Sequence, residues 1–236
     1  MTTTEILKEL EGYGNEATKK IYLTHGAREP LNGVKVADLK KIQKKVKTQH
    51  ELSLELYATG NCDAMYLAGL IADETKISKD ELNKWVDEAS YYWVLEYTVP
   101  WIAAESNYGF ELGLEWIDSD QEGIASAGWA TLGYYTSIKQ DDELDIGVYN
   151  ELLDRVEKNI HEAQNRVRFT MNSFVISVGS YIKELTEKAS AVARKIGKVD
   201  VDMAGTACKV PFATDYIKKV IDRGALGKKR KSARSR

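Results

Sequence analysis

Apolar residues along this chain recur at intervals of three and four, and no stretch alternates with the period of two that a strand requires. Ile6, Leu7 and Leu10 mark a helix over 3–13, and a second follows over 15–24. Residues 25–33 have loop chemistry. Beyond them Leu39, Ile42 and Val46 fall on one side of a helix over 36–47, with Lys40, Lys41, Lys44, Lys45 and Lys47 on the opposite arc. Similar spacings predict helices over 50–59, 62–72, 78–90, 92–105, 107–118, 121–137, 141–158, 162–182, 184–196 and 213–221. Ser78, three residues before Glu81, is a capping-box pattern. Pro100 has no N–H to offer the carbonyl of Glu96, so the helix is expected to kink or break there, with Pro100 opening the next one. Gly109, Gly113, Gly123, Gly128 and Gly133 suggest close helix–helix approach as well as turns. Helices of this length joined by short loops predict an all-α fold, a curved solenoid of helical pairs. No fixed-period repeat is visible, so the repeats are degenerate. One helical domain is expected over 1–221, followed by a basic C-terminal tail over 222–236.

The bulk numbers change this picture little. At 236 residues, 43% hydrophobic and 29% charged, the chain is long enough for a substantial core and ordinary in balance. No apolar run approaches the roughly 20 residues of a membrane span. The N-terminus, MTTTEILKELEGYG, is too polar for a secretory signal. Cys62 and Cys208 lie far apart and read as reduced, buried thiols of a cytoplasmic protein.

Charge distribution matters more than the net of −3. Six lysines crowd residues 35–47 beside the lone Asp38, and KKRKSARSR closes the chain without an acid. From residue 85 to 138 there is no Lys or Arg at all. That window holds all five tryptophans, together with Tyr91, Tyr92, Tyr97, Tyr134, Glu96, Glu105, Glu111, Glu115, Asp118 and Glu122. It reads either as an aromatic core with an acidic fringe or as a site lined by rings and carboxylates. The run YYWVLEY (91–97) has more polar-tipped rings than one buried helix face accommodates.

Familiar catalytic signatures are missing: no HExxH, Cys/His ligand cluster, phosphate-binding glycine loop or GxSxG. His25, His50 and His161 are scattered and read as surface or capping histidines. No metal or other cofactor is expected.

Residues GVKVADLKKIQKKVK (33–47), HELSLELYATGNCDAMYLAGLIAD (50–73), DELNKWVDEASYYWVLEYTV (80–99) and SAGWATLGY (126–134) together resemble the DNA alkylation repair family, alkylpurine DNA glycosylases built of HEAT-like repeats. The ending GKVDVDMAGTACKVPFATDYIKKV (197–220) is similar to one branch of it. The resemblance implies a helical surface that holds DNA by its backbone while rings and a carboxylate flank the lesion. Trp93 matches the family's first active-site tryptophan. Tyr97 stands where the glycosylases carry Asp, Ser126 where they carry Arg, and Ser173 where the second tryptophan is expected. A phenol is neutral at pH 7, and a serine cannot hold phosphate bidentately as arginine does. Glu96 is the nearby substitute acid, one residue and about 100° away on a regular helix.

Three functions follow. The first is a DNA-binding relative of the glycosylases with weak or no base excision. It would grip duplex, branched or single-stranded DNA through Lys40, Lys44, Lys45, Arg166, Arg168 and the tail, with Trp93 and Tyr97 stacking on an unpaired base. The second is a scaffold that binds a protein or peptide in an aromatic, acidic groove. The third is an active glycosylase rearranged around Glu96.

Overall fold

The computed structural model describes residues 1–89 and 91–234, and all regular structure among them is helical. The α-helices are α1 (Thr3–Tyr13), α2 (Glu16–Thr24), α3 (Val36–Val46), α4 (His50–Ala58), α5 (Cys62–Ile71), α6 (Lys79–Glu88) and α7 (Val99–Glu105). They continue as α8 (Gly109–Trp116), α9 (Glu122–Ile138), α10 (Ile146–Asn159), α11 (Asn165–Tyr181), α12 (Thr186–Ile196) and α13 (Ala213–Asp222). Local chemistry explains many of the starts. Thr2 with Glu5 and Ser78 with Glu81 form capping boxes. The side chains of Asn15, Asn61 and Asp145 accept backbone N–H groups of the first turns of α2, α5 and α10.

Two helices differ from their sequence-predicted form. The segment 92–105 is interrupted by a π-helical turn, Val94–Thr98, before α7 begins with Pro100 in its first turn. The proline cannot continue the regular ladder, and the widened turn carries the chain past it. The segment 141–158 divides into a 3₁₀ turn at Asp141–Glu143 and α10, because Asp145 caps the latter by accepting from the Val148 N–H at 3.1 Å.

α4 packs on α5, α6 on α7 and α8 on α9, and α10 packs with α11 and α12. Successive pairs stack in chain order into a curved solenoid, so that α5, the π turn with α7, α9 and α11 form one continuous row. α13 closes the far end against α11 and α12. The approach of α8 and α9 is close enough to require glycine. A Cβ on Gly128 would lie 2.6 Å from the Ile117 backbone nitrogen. Buried apolar side chains form two clusters, which meet at α9: Ala127 belongs to the first, Trp129 and Leu132 to the second, and Tyr135 packs on both.

The basic tail does not stand apart from this body. It walks along the C-terminal edge of the row, helix by helix. The Gly227 N–H donates to Ser180 O at the end of α11. Lys229 Nζ donates to Tyr181 O and Thr136 O and pairs with Asp141. The Arg230 N–H donates to Ser137 O of α9. Arg234 is 2% exposed. Its guanidinium pairs with Glu105 of α7 and Glu74, and it also donates to Ala72 O beyond α5 at 2.7 Å. Cations placed against the C-terminal carbonyls of parallel helices complement their dipoles. Of the predicted tail, Ser235 and Arg236 lie outside the described residues.

Candidate functional site

Glu96 and Tyr97, consecutive residues of the π turn, border the same cavity. Glu96 is 3% exposed and is gripped by Arg166 of α11, with Nε to Oε1 at 2.7 Å and Nη2 to Oε2 at 2.6 Å. Ser126 Oγ donates more weakly to Oε1 at 3.4 Å. The guanidinium lies over the rings of Tyr92 and Phe169, with centroids 4.3 and 4.7 Å away. Its backbone N–H donates to Glu122 at 2.8 Å. Burial pushes the Glu96 carboxyl above its ordinary range, while Arg166 pulls it back. Burial likewise raises the Tyr97 phenol, which stays neutral.

Beside this pair a half-open cavity of about 270 Å³ lies between the π turn, α9 and α11. Rings line it (Tyr97, Tyr134, Trp129, Phe169, Phe174), with Gly133, Ser173 and Ser177 as small residues among them. Pro211 and Tyr216, from the connector into α13, close one wall. Asn172 Nδ2 holds that connector by donating to Pro211 O at 2.9 Å.

The structure brings together Glu96, Tyr97, Ser126 and Ser173 from the sequence-predicted set, and it leaves Trp93 elsewhere. Trp93 packs against Tyr22, Tyr66 and Tyr91, with centroids 4.9, 6.1 and 5.9 Å away. Arg166 and Arg168, expected to face phosphate, are engaged within the protein. Arg166 pairs with Glu96, and Arg168 donates to Ala163 O and Asp200 O, pinning the start of the connector. On α3, Lys45 pairs with Glu9 and Lys41 with Asp38, Lys40 is half-buried, and Lys44 is exposed.

The gap in positive charge is filled from outside the window. Glu111 and Glu115 meet Lys79, Asp118 meets Arg155, Glu96 meets Arg166 and Glu105 meets Arg234. The acidic groove expected from the sequence is therefore largely neutralised. Trp85, Trp101, Trp116 and Trp129 are buried core residues; Cys62 is buried as well, whereas Cys208, expected to be buried, is exposed on the connector before α13. Among the described residues, no cluster of His, Cys, Asp and Glu could hold a metal ion, and no helix is long and apolar enough to cross a membrane.

The sequence placed Tyr92 in the aromatic window without its role, and gave no role to Phe169, which completes the sandwich on the guanidinium, or to Phe212 and Tyr216, which are exposed by 44% and 47%. The one available signal was the amphipathic pattern of 213–221, whose buried Ala213 and Ile217 turn these rings outward.

Residues 6–205 match the family model described as DNA alkylation repair enzyme. Uncharacterised proteins of Listeria monocytogenes and Listeria innocua are each 32% identical over 228 residues, covering 94% of this chain and 99% of theirs. A solved structure with TM-score 0.89 and 38% identity covers 98% of both chains. It is described as "A new family of proteins related to the HEAT-like repeat DNA glycosylases with affinity for branched DNA structures".

Proposed function

The chain belongs to the DNA alkylation repair enzyme family, and from that premise we propose that it binds DNA, branched structures in particular, and excises alkylated bases weakly or not at all. The Glu96–Arg166 pair carries this reading. When a glycosidic bond breaks, positive charge develops on the sugar, and a fixed negative group at the site stabilises it. The carboxylate nearest the cavity already faces a guanidinium through two hydrogen bonds, and Tyr97 is uncharged. The preference for branched DNA is supported by the 38% identical neighbour described with that affinity. Phosphate contacts fall to exposed cations, with Lys44 on α3 and Lys228, Arg230 and Lys231 in the tail.

The test has two arms. Purified protein incubated with methylated DNA is expected to release no 7-methylguanine at rates typical of a glycosylase, since losing a transition-state electrostatic partner costs on the order of 10²–10³ in rate. Binding to a four-way junction, a fork, single strands and duplex is measured across a salt series. Neutralising Lys44, Lys228, Arg230 and Lys231 together should weaken all of them and flatten the slope of log affinity against log salt by about 0.7–0.9 per lost contact. Robust release of the base, abolished by Glu96→Gln, would establish the rearranged glycosylase instead. Absence of DNA binding even at low salt would favour the protein scaffold.

A further inference from the structure

The aromatic residues expected to meet an unpaired base are half-buried and pack against other rings. Trp93 is surrounded by three tyrosine rings, and Tyr97 stands edge-on to Trp101 at 5.8 Å. Among the described residues the rings that most expose their surface are Phe212 and Tyr216, one helical turn apart at the start of α13. Their mount is rigid. Ala213 and Ile217 are buried beneath them, Ile217 Cδ1 fills the space above Gly179, and Pro211 is tied to Asn172. Tyr216 also forms a wall of the 270 Å³ cavity, so an exposed ring stands at the mouth of a half-open slot lined by further rings.

The electrostatics single out the occupant. Between Met203 and Arg234 the only acids are Asp215 and Asp222, and Asp222 is paired with Lys218. Lys209, Lys219 and Arg223 are exposed along this segment, and Lys219 Nζ lies 4.8 Å from the centre of Tyr216. A neutral apolar partner would draw nothing from this surplus of positive charge. A nucleotide uses both parts, with its base face on a ring and its phosphate against a cation. In intact duplex, base faces are stacked on one another and hidden, whereas a branch point presents them.

Resting on the DNA-binding reading above, we infer that the Phe212–Tyr216 edge of α13 is the branch-reading element. Tyr216 stacks on a base freed at the junction, and Lys219 and Arg223 meet the adjoining phosphates. The cavity behind Tyr216 receives the base edge.

Fluorescence anisotropy with a labelled four-way junction, a fork and a fully paired duplex tests this on the full chain. Tyr216→Ala and the Phe212→Ala/Tyr216→Ala double variant are expected to lose about tenfold or more on the branched substrates, the size of a lost base–ring stack. Duplex affinity and salt slope stay as in the wild type. Tyr216→Phe, which keeps the ring, retains junction binding. A 2-aminopurine placed at the branch point should be quenched by wild type and by Tyr216→Phe, and left bright by Tyr216→Ala. Normally melting alanine variants that bind the junction like wild type would overturn the assignment, as would equal losses on duplex and junction. A wild-type dimer dissolved by Tyr216→Ala in sedimentation would make the edge a self-association surface instead. Failure of the wild type to bind branched DNA at low salt is a separate result, because it removes the DNA-binding reading itself.

Discussion

Two aromatic clusters lie either side of the π turn, one packed and one hollow. Tyr22, Tyr66, Tyr91 and Trp93 close on one another with ring centroids 4.9–6.5 Å apart, leaving a gap of about 10 Å³. Tyr97, Trp129, Tyr134 and Phe169 instead border about 270 Å³. Both draw on the same ring chemistry. What differs is the opposing surface, which is Leu31, Val34 and Leu39 for the first and Ala130, Gly133, Ser173 and Ser177 for the second. Rings make a site only where the residues opposite them are small.

The contrast can be pushed until it breaks. The largest effect is expected at the edge of the hollow cluster. Arg166→Ala strands Glu96 as a buried charge and should cost about 3–5 kcal/mol in chemical denaturation, with Arg166→Ala/Glu96→Gln recovering much of it. Next comes a matched pair of enlargements. Val34→Phe, pushed into the packed cluster, should lose about 1–3 kcal/mol. Ser173→Leu, growing into empty volume, should be neutral or gain up to about 1 kcal/mol. Equal losses from the two would show that the clusters are packed alike. The smallest effect belongs to His25, whose ring meets the Tyr92 hydroxyl. Burial and the nearby Arg166 hold its pKa below the ordinary 6.5. A depressed folded pKa means that the neutral form is favoured, so its contribution is present above 6.5 and lost as pH falls below it. The melting temperature should dip between about pH 7 and about pH 5.5, and the dip should shrink in His25→Asn.

Helix positions were legible because each depends on neighbours within four residues. The 50–59, 62–72 and 121–137 predictions end within a residue of α4, α5 and α9. Pro100 announced a break, but whether the chain would kink or widen depended on tertiary contacts. The widened turn it produced carries both Glu96 and Tyr97, which border one cavity. The partners of the acidic window were illegible for a different reason. Glu96 meets an arginine 70 residues away and Glu105 one 129 residues away, and no local pattern records either pairing. The hollow was half-visible. Ser173 and Ser177 lie one turn apart on α11, as do Ala130 and Gly133 on α9, and small residues at that spacing on facing helices are a signal that ring counting overlooks.

The docked tail alters how the stack is held together as a whole. In an open array of helical pairs each unit touches only its neighbours, so the ends fray independently and opening spreads inward step by step. Here the tail touches the ends of α11 and α9 through Lys229 and that of α7 through Arg234, which also reaches Gly69 and Ala72, more than 160 positions earlier in the chain. Residues late in the sequence thus close a circuit through helices far earlier in it. Hydrogen exchange at the ends of α5 and α7 should then report opening of the C-terminal units as well as their own, so that the array unfolds as one cooperative body.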